Sequence, residues 1–547
     1  NISQIKGDIS ADTVVKRDYP FFRFGVADWS LTSNQKVNGE SVSRAALSLG
    51  SIIAGGELNA TVNYTDASPF NLRDQFYSWR YANNDMRLFK QAILGKIASE
   101  SISTLNSPLI GFQLTNTPTT FRRSYGTYTL SDVTEPGWLV ELYVNNILVD
   151  YKKADASGFF SFEVPLVYGN TEIKLQFYGP WGEERSKEKS ITIPYNFLPK
   201  GLFEYTLSGG VTEDTLGRKF SRLNADYGIS KFMTLGGGVE YLSSDSSGRF
   251  LPFIRSSVRL TSKLIISGEY TYGTRFSGYL NYRLPSDFQI EANYIKYERG
   301  QSAINTSYLE ERKLSVSMPF RGKNSVIYSK LSLNQYIMPQ SQYTAAELLF
   351  SGSLFGINTN FTTNAVISDN VKPDVYSTLA LSLRLPLGII ITPQSQYNYT
   401  QGRFSSVKSG VEMRVSKNSY LTMSYEQNFT NNITSFDFGF RHDFRFAQFN
   451  LNARRDDLST TFTESVNGSI LADTKNSYLG VSKRSNAGKG GLFIYPFLDI
   501  NGNGLKDKGE SKVFGLQLQI NGGRIEYNTK DTTIRVFDLE SYAKYLL

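Results

Sequence analysis

From about Tyr19 onward the chain alternates polar and apolar residues with period two, in runs of roughly 9–12 residues separated by short polar turns. In FQIEANYIKY, Phe288, Ile290, Ala292 and Tyr294 fall on one face, and Gln289, Glu291 and Asn293 on the other. MTLGGGVEYL sets Met233, Leu235, Val239 and Tyr241 against Thr234 and Glu240. QFNLNAR sets Phe449, Leu451 and Ala453 against Gln448, Asn450, Asn452 and Arg454. YLTMSYEQ repeats the scheme, with Leu421, Met423 and Tyr425 opposite Thr422, Ser424 and Glu426. A water-soluble sandwich alternates in the same way, but it seldom runs so many strands of about ten residues in succession. Tilted strands of ~9–11 residues are what the hydrocarbon core of a bilayer requires. In lipid such a sheet has to close on itself, so that every backbone N–H and C=O is paired. Tyr270, Tyr272, Tyr279 and Tyr282 lie near segment ends and suit an interfacial aromatic girdle.

Five or six such segments precede Asp132, near Phe22–Leu31, Ser43–Ala54, Glu57–Tyr64, Gln75–Tyr81, Leu88–Ile97 and Gly111–Thr117. About eighteen or nineteen more lie between Phe203 and Lys483. The pattern predicts an all-β chain built around a large transmembrane antiparallel β-barrel of about 24 strands. So wide a barrel cannot fill its lumen with its own side chains and leaks unless something stops it.

The stretch between the two sets of strands supplies a candidate stopper. Val140, Leu142 and Val144 alternate, and Asn145-Asn146 then turns the chain. A strand over Ile147–Tyr151 leads to a second turn at Asp155-Ala156-Ser157-Gly158, and Phe160 and Phe162 follow. VPLVYGNTEIKLQFYG and a closing strand SITIPY complete a β-sandwich of roughly 60 residues. The charged run EERSKEK before that last strand reads as a turn that lipid would not tolerate and a wet lumen would. The residues expected to define this plug are Trp138, Glu141, Tyr143, Asn145, Asn146, Asp155, Gly158, Phe160, Tyr178 and Trp181. The expected division is a periplasmic extension (1–18), a first part of the barrel (19–133), the plug sandwich (134–196), a second part of the barrel (197–488) and a partial C-terminal β domain (489–547).

Composition narrows the function classes. The 547 residues carry a net charge of +8, with 34 Tyr and 37 Phe, a balance that favours strands. Cys is absent, which excludes disulfides, thiolate metal sites and cysteine nucleophiles. The single His, His442, has Asp443 beside it on the opposite face of a strand, so no catalytic dyad is evident and no enzyme is expected. Lys and Arg are scattered along the strands, without the dense block that nucleic-acid binding calls for. No run of ~18 apolar residues suggests a transmembrane helix. The mean hydropathy of −0.30 suits a barrel, in which only alternate residues meet lipid.

In its order of pieces the chain resembles the outer-membrane ushers of the chaperone–usher pilus pathway, over about residues 20–540. The resemblance is most specific from Trp79 to Val211. RLFKQAILGKI (87–97) and GFQLTNTP (111–118) look like the usher strand pair ahead of the plug. PGWLVELYVNNILVDYKKADASGFFSFEVPL resembles the plug itself, and IPYNFLPKGLFEYTLSGG (193–210) its return to the barrel. The resemblance implies a bacterial outer-membrane pore, gated by the plug, for translocation or assembly of surface proteins or pilus subunits. Its implied partners are membrane lipid, secreted or surface subunits, a periplasmic chaperone, and other outer-membrane complex subunits. Only about eighteen residues precede the first strand, where ushers carry a longer chaperone-binding domain, so an usher-like relative lacking that domain is also expected to fit. The alternative is a permanently plugged barrel that serves as a scaffold in a surface complex.

One motif stands apart from the barrel. FLDINGNGLKDKGE spaces Asp499, Asn501, Asn503 and Glu510 as in a D-x-[DN]-x-[DN]-G-x5-E calcium loop, with Gly504 at the bend. The Leu505 carbonyl and Asp507 are further candidate ligands, and a structural Ca2+ would stiffen the link to the C-terminal domain. The other reading is an Asn/Gly-rich turn with solvated acids. The flanks GLFIYPFL and VFGLQLQI read as strands, so this is not an EF-hand.

Overall fold

The computed structural model describes residues 19–541 except 120–122, 135–137, 145–146, 155–157, 168–171, 179–183, 193–195, 245–249, 285, 287, 323–325, 355–356, 370, 503–505, 519, 521–522 and 529–531. The expected extension 1–18 lies outside the described residues, as do Asn145, Asn146, Asp155, Trp181, Asn503 and Leu505.

Six strands come first: β1 (Phe22–Lys36), β2 (Ser41–Ile53), β3 (Gly56–Thr65), β4 (Phe76–Ala82), β5 (Gln91–Ile97) and β6 (Leu109–Thr115). Then come β7 (Arg123–Val133), β8 (Leu139–Val144), β9 (Ile147–Lys153), β10 (Phe159–Val167), β11 (Glu172–Tyr178) and β12 (Glu184–Thr192). The long second set begins with β13 (Phe203–Thr212), β14 (Lys219–Ser230), β15 (Met233–Leu242), β16 (Phe250–Thr261), β17 (Leu264–Thr271), β18 (Arg275–Arg283), β19 (Gln289–Tyr297), β20 (Glu310–Arg321) and β21 (Val326–Ile337). It continues with β22 (Gln342–Leu354), β23 (Ile357–Ser368), β24 (Val371–Arg384), β25 (Ile390–Asn398), β26 (Arg403–Ser416), β27 (Ser419–Asn428), β28 (Ile433–Asp443), β29 (Ala447–Asp456) and β30 (Thr460–Asp473).

Each of β1–β6 and β13–β30 pairs antiparallel with its neighbour, β6 joins β13, and β1 joins β30 over Val26–Lys36 and Leu471–Thr461. The result is a closed antiparallel barrel of 24 strands. A short strand, β31 (Tyr478–Ser482), pairs with the end of β30 beyond the last residue that β29 reaches. It occupies the only length of that edge left open. After it, β32 (Lys489–Ile494), β33 (Arg524–Tyr527) and β34 (Ile534–Glu540) form a sheet ordered β32–β34–β33.

The alternation is inverted relative to a protein core. On β14 the outward Leu223, Tyr227 and Ile229 are 41–48% exposed, while the inward Arg222, Asn224 and Asp226 are 5–8% exposed. A water-soluble fold buries the first kind of residue and exposes the second. A wall with hydrocarbon outside and water or protein inside does the reverse. Tyr270 and Tyr272 lie exposed on or beside the outer face, as a girdle requires, but Tyr279 does not. It points inward and packs on the inserted unit, because its parity on β18 is that of the buried Asn281.

That unit is a sandwich of a four-stranded sheet, β12–β11–β8–β9, and the pair β10–β7. Val140, Leu142, Val144, Ile173 and Leu175 from one sheet meet Phe162 and Val164 from the other, all with 0% exposure. Burying each contributes about 1.5–3 kcal/mol, enough for a small domain to hold together in water. β7 pairs with β10 and with no barrel strand, so the unit begins at Arg123 rather than near 134. YGTYTLSDV alternates just as a barrel strand does, and period alone cannot separate the two. Of the run EERSKEK, the described residues 184–189 likewise belong to strand β12, paired with β11, and not to a turn.

Candidate functional site

The place where the sandwich meets the barrel is the candidate site, and it is built from inward positions of β14–β18. Arg222 and Asp226 on β14, Glu240 on β15, Arg255 and Arg259 on β16, Glu269 on β17 and Arg275 on β18 all occupy the inward parity of their strands. Unpaired, these charges would be costly to bury. They are paired with one another across neighbouring strands, Arg222 with Glu240, Arg255 with Asp226 and Arg275 with Glu269, and two chain segments that enter the lumen add further partners.

The first segment is 98–108, between β5 and β6. Glu240, with 0% exposure, accepts hydrogen bonds from the backbone N–H of Ile102 (2.7 Å) and Ser103 (2.8 Å). It also accepts one from Arg222 Nη1 at 2.8 Å. Glu100 lies 3.8 Å from both Arg222 and Arg255. Ile102 packs on Phe253 and Leu251 together with Ala303, from the 298–309 connection between β19 and β20. Backbone bonding joins the two connections, with Thr104 N–H donating to the Ala303 carbonyl at 2.9 Å.

The second segment, 196–199, carries the chain from the sandwich back to the barrel. Asn196 N–H donates to Ser257 Oγ (3.1 Å) and its Nδ2 to Asp226 (3.2 Å). Leu198 N–H donates to Thr234 Oγ1 at 2.8 Å, and Arg259 stacks over the Phe197 ring at 4.5 Å. Arg255 grips Asp226 bidentately, at 2.9 and 2.5 Å. The glycine run of β15 makes room for this. A Cβ on Gly236 would run into the Asp226 carboxylate, and one on Gly238 would meet the Phe253 ring at 2.9 Å.

The sandwich itself touches the wall with apolar and aromatic groups. Ile265 of β17 joins the edge of its core, and Tyr279 packs beside it. Phe159 stacks on Tyr328 of β21 with ring centroids 4.0 Å apart. Against this wall, beside the two entering segments, lies a polar hollow of about 270 Å³, lined by Glu100, Asn196, Asp226, Arg255, Glu269 and Arg275 among others. It is large enough to hold water. On the other side of the lumen, Arg484, just after β31, sits 5.7 Å over the Tyr178 ring. The neighbouring Ser485, Asn486 and Ala487 are held by Asp28 of β1 at 2.6–3.1 Å.

Of the residues singled out from sequence, Trp138 and Phe160 are buried together in the sandwich core, each 2% exposed. Tyr143 donates to Glu141 at 2.7 Å, and Gly158 turns the chain with φ of 87°. The wall contacts described above are made by Glu240, Asp226, Arg255 and Asn196. For the three charged residues the sequence held one signal, charged inward positions on consecutive strands opposite glycines, and for Asn196 it held none. In the calcium-like loop, Glu510 accepts from the N–H of Ile500 (3.0 Å) and Asp507 (2.8 Å). Asn501 donates to Asp507 at 2.8 Å, and Asp499 accepts from Gly502 N–H at 2.7 Å. Among the described residues no group of three acidic or His side chains converges as a metal site.

Solved structures share this architecture. A chain of the E. coli P pilus tip assembly intermediate PapC–PapD–PapK–PapG, seen by cryo-EM, matches with a TM-score of 0.61 and 14% identity. The match covers 99% of this chain and 70% of that one. The P pilus usher (PapC) translocation pore matches with a TM-score of 0.48 and 13% identity, over 81% of this chain and 99% of its own. No protein-family model and no curated protein sequence matches the chain. The likeness is one of fold, a large closed antiparallel β-barrel.

Glu240 is the testable centre of the clasp. Glu240→Ala leaves two backbone N–H groups and Arg222 without their acceptor, a loss of about 3–5 kcal/mol for a broken buried pair. Hydrogen exchange at the Ile102 and Ser103 amides should rise by about a hundredfold or more, with β26–β29 unchanged. Unchanged protection at both amides would contradict the clasp.

Proposed function

We propose that the chain is an usher-like pore of the bacterial outer membrane, and that the inserted sandwich is its plug. One observation carries this reading: among the described residues the sandwich closes its own core, to which the barrel adds the buried Ile265 and the partly buried Tyr279. A module of this kind can leave the wall without unfolding. What it must give up is the Phe159–Tyr328 stack, the Arg259–Phe197 contact and hydrogen bonds such as those at Asp226, and water can replace the polar ones. A permanently seated scaffold plug would instead share a continuous apolar core with the barrel. The cargo fitting this reading is folded surface-protein or pilus subunits, delivered from the periplasm by a chaperone. The energy comes from subunit exchange rather than from a reaction in the pore.

Absence of catalysis is part of the same proposal. Ser419 Oγ lies 2.8 Å from His442 Nδ1, which resembles half of a hydrolytic site. The imidazole meets the Phe444 ring edge-to-face, with centroids 4.4 Å apart, while Asp443 turns inward to Arg441 and Lys483. Among the described residues no carboxylate is hydrogen-bonded to the ring, as such chemistry needs.

Removing residues 123–195 and bridging the ends with a flexible Gly/Ser linker tests the plug. In planar bilayers the intact protein should be nearly silent, and the deleted form should show large, stable single-channel currents. Equal conductance for the two would overturn the reading.

We further infer that the 499–510 loop takes a structural Ca2+. Asp499, Asn501, Asp507 and Glu510 offer the hard oxygen donors that this ion prefers, and bound Ca2+ would add charge compensation at those carboxylates. Calorimetric titration of the full chain with CaCl2 should show one site, lost in Glu510→Gln. No heat of binding up to millimolar Ca2+ would leave the loop a metal-free turn.

A further inference from the structure

The outer wall carries a built hollow that the pore reading does not use. It lies over β17–β22 and has a volume of about 700 Å³, within the ~300–1,000 Å³ range of small-molecule sites. Two cross-strand rows of outward residues form it. Register pairs Gly268 with Gly278, Gly278 with Tyr294, Tyr294 with Arg312, and Arg312 with Gln335. The row below pairs Ile266 with Leu280, Leu280 with Ala292, Ala292 with Leu314, and Leu314 with Leu333.

The glycines explain the depression. Neither Gly268 nor Gly278 has a positive φ, and a Cβ on either would meet only ordinary contacts at 3.6–3.7 Å. Backbone geometry therefore does not demand glycine here, and its effect is to empty space on a face where neighbouring strands carry Leu, Ile and Tyr.

Polarity is graded along the hollow. The row of Ile266 and Leu280 is wholly apolar, whereas the edge at the end of the barrel away from the sandwich's insertion is polar. There Arg312 is held by Glu310 (2.7 Å) and Gln335 (3.3 Å), and the Tyr294 hydroxyl bonds to Glu310. Lys296 stands directly opposite Glu310 across β19–β20 and is exposed. Within these cross-strand pairs two cations meet one carboxylate, and the Glu298 and Arg299 charges just beyond them cancel, so the edge is net positive. An apolar trough ending at a cationic edge has the shape and charge of an amphiphile's complement.

We infer that this hollow binds one acyl chain of an anionic phospholipid, with its phosphate at Lys296 and Arg312. The inference goes beyond pore function but rests on the wall facing hydrocarbon. A second copy of the chain is the competing occupant. The narrow trough fits one acyl chain better, because a stable dimer needs a broad patch of about 800 Å² per partner.

The test uses the full chain in mild detergent, titrated with phosphatidylglycerol and followed by native mass spectrometry. The unaltered protein should retain one phosphatidylglycerol, in preference to phosphatidylcholine, and inorganic phosphate should not displace it. The double variant Gly268→Leu/Gly278→Leu fills the trough with apolar side chains at positions where a Cβ meets only ordinary contacts, and should weaken binding at least tenfold while keeping the heat-dependent gel mobility of a closed barrel. Lys296→Gln/Arg312→Gln should bind both lipids equally. Undiminished binding by the leucine variant, displacement by inorganic phosphate, or a dimer that the leucines convert to monomer would each overturn the proposal. Trp29 lies on the outer face of β1, far from the trough, and reports the medium separately. Its quenching by brominated acyl chains with unchanged lipid affinities would overturn the proposal alone, whereas loss of quenching would bring down the membrane reading with it.

Discussion

Closure of the backbone ladder is the constraint on which the rest depends. In a medium without water, an unpaired N–H or C=O costs several kcal/mol, so a strand edge is not tolerated. Here the demand is met by the pairing of β1 with β30, with β31 filling the remaining stretch of edge on β30. A ring of 24 strands follows, and with it two faces of opposite character on every strand. The outer face can be apolar because nothing polar of the backbone shows through it. The inner face encloses a space too wide for its own side chains.

That space dictates the chemistry inside. Charges such as Glu240 and Arg222 would weaken an ordinary core, yet on the lumen wall they serve as docking points for segments that must lie against the barrel without fusing to it. Buried ion pairs contribute little net stability, since desolvation offsets most of the attraction. They do impose geometry: Glu240 accepts the Ile102 and Ser103 amides in one arrangement only. The sandwich is held through its exit segment, by aromatic stacking and by one edge contact, while its stability comes from its own Val, Leu, Ile and Phe. Strength within the module and few contacts to the wall are what a displaceable closure requires. The C-terminal segment adds a second tether, because Asp28 on the closing strand holds 485–487 beside Arg484, which in turn reaches Tyr178.

Much of this was legible in the residue pattern. Period-two alternation identified the strands, their length pointed to a bilayer, and the turn-rich insert stood out as a separate unit. Three features escaped it for physical reasons. β7 alternates like a barrel strand, so only its pairing with Phe159–Val167 reveals that it belongs to the sandwich. Tyr279 looked like a girdle residue, because a composition of Tyr near a strand end does not say which face it occupies. The clasp was invisible because Glu240 meets its Ser103 partner from 137 residues away, and alternation fixes a face without naming what crosses the lumen to meet it. The fold likeness to a pilus assembly intermediate at 14% identity fits this picture. Pattern and closure persist where individual residues do not.

The central claim is that one face of every strand meets lipid while the other meets a wet, occupied interior. The chain has no Cys, so single cysteines placed in turn at positions 220–229 of β14 can each carry a nitroxide in a reconstituted bilayer. Collision with oxygen, which concentrates in hydrocarbon, should peak at 223, 225, 227 and 229 and fall at 222, 224 and 226, a strict two-residue oscillation. A flat profile, or one in which a water-soluble nickel chelate reaches Leu223 and Tyr227 more readily than oxygen does, would contradict the account.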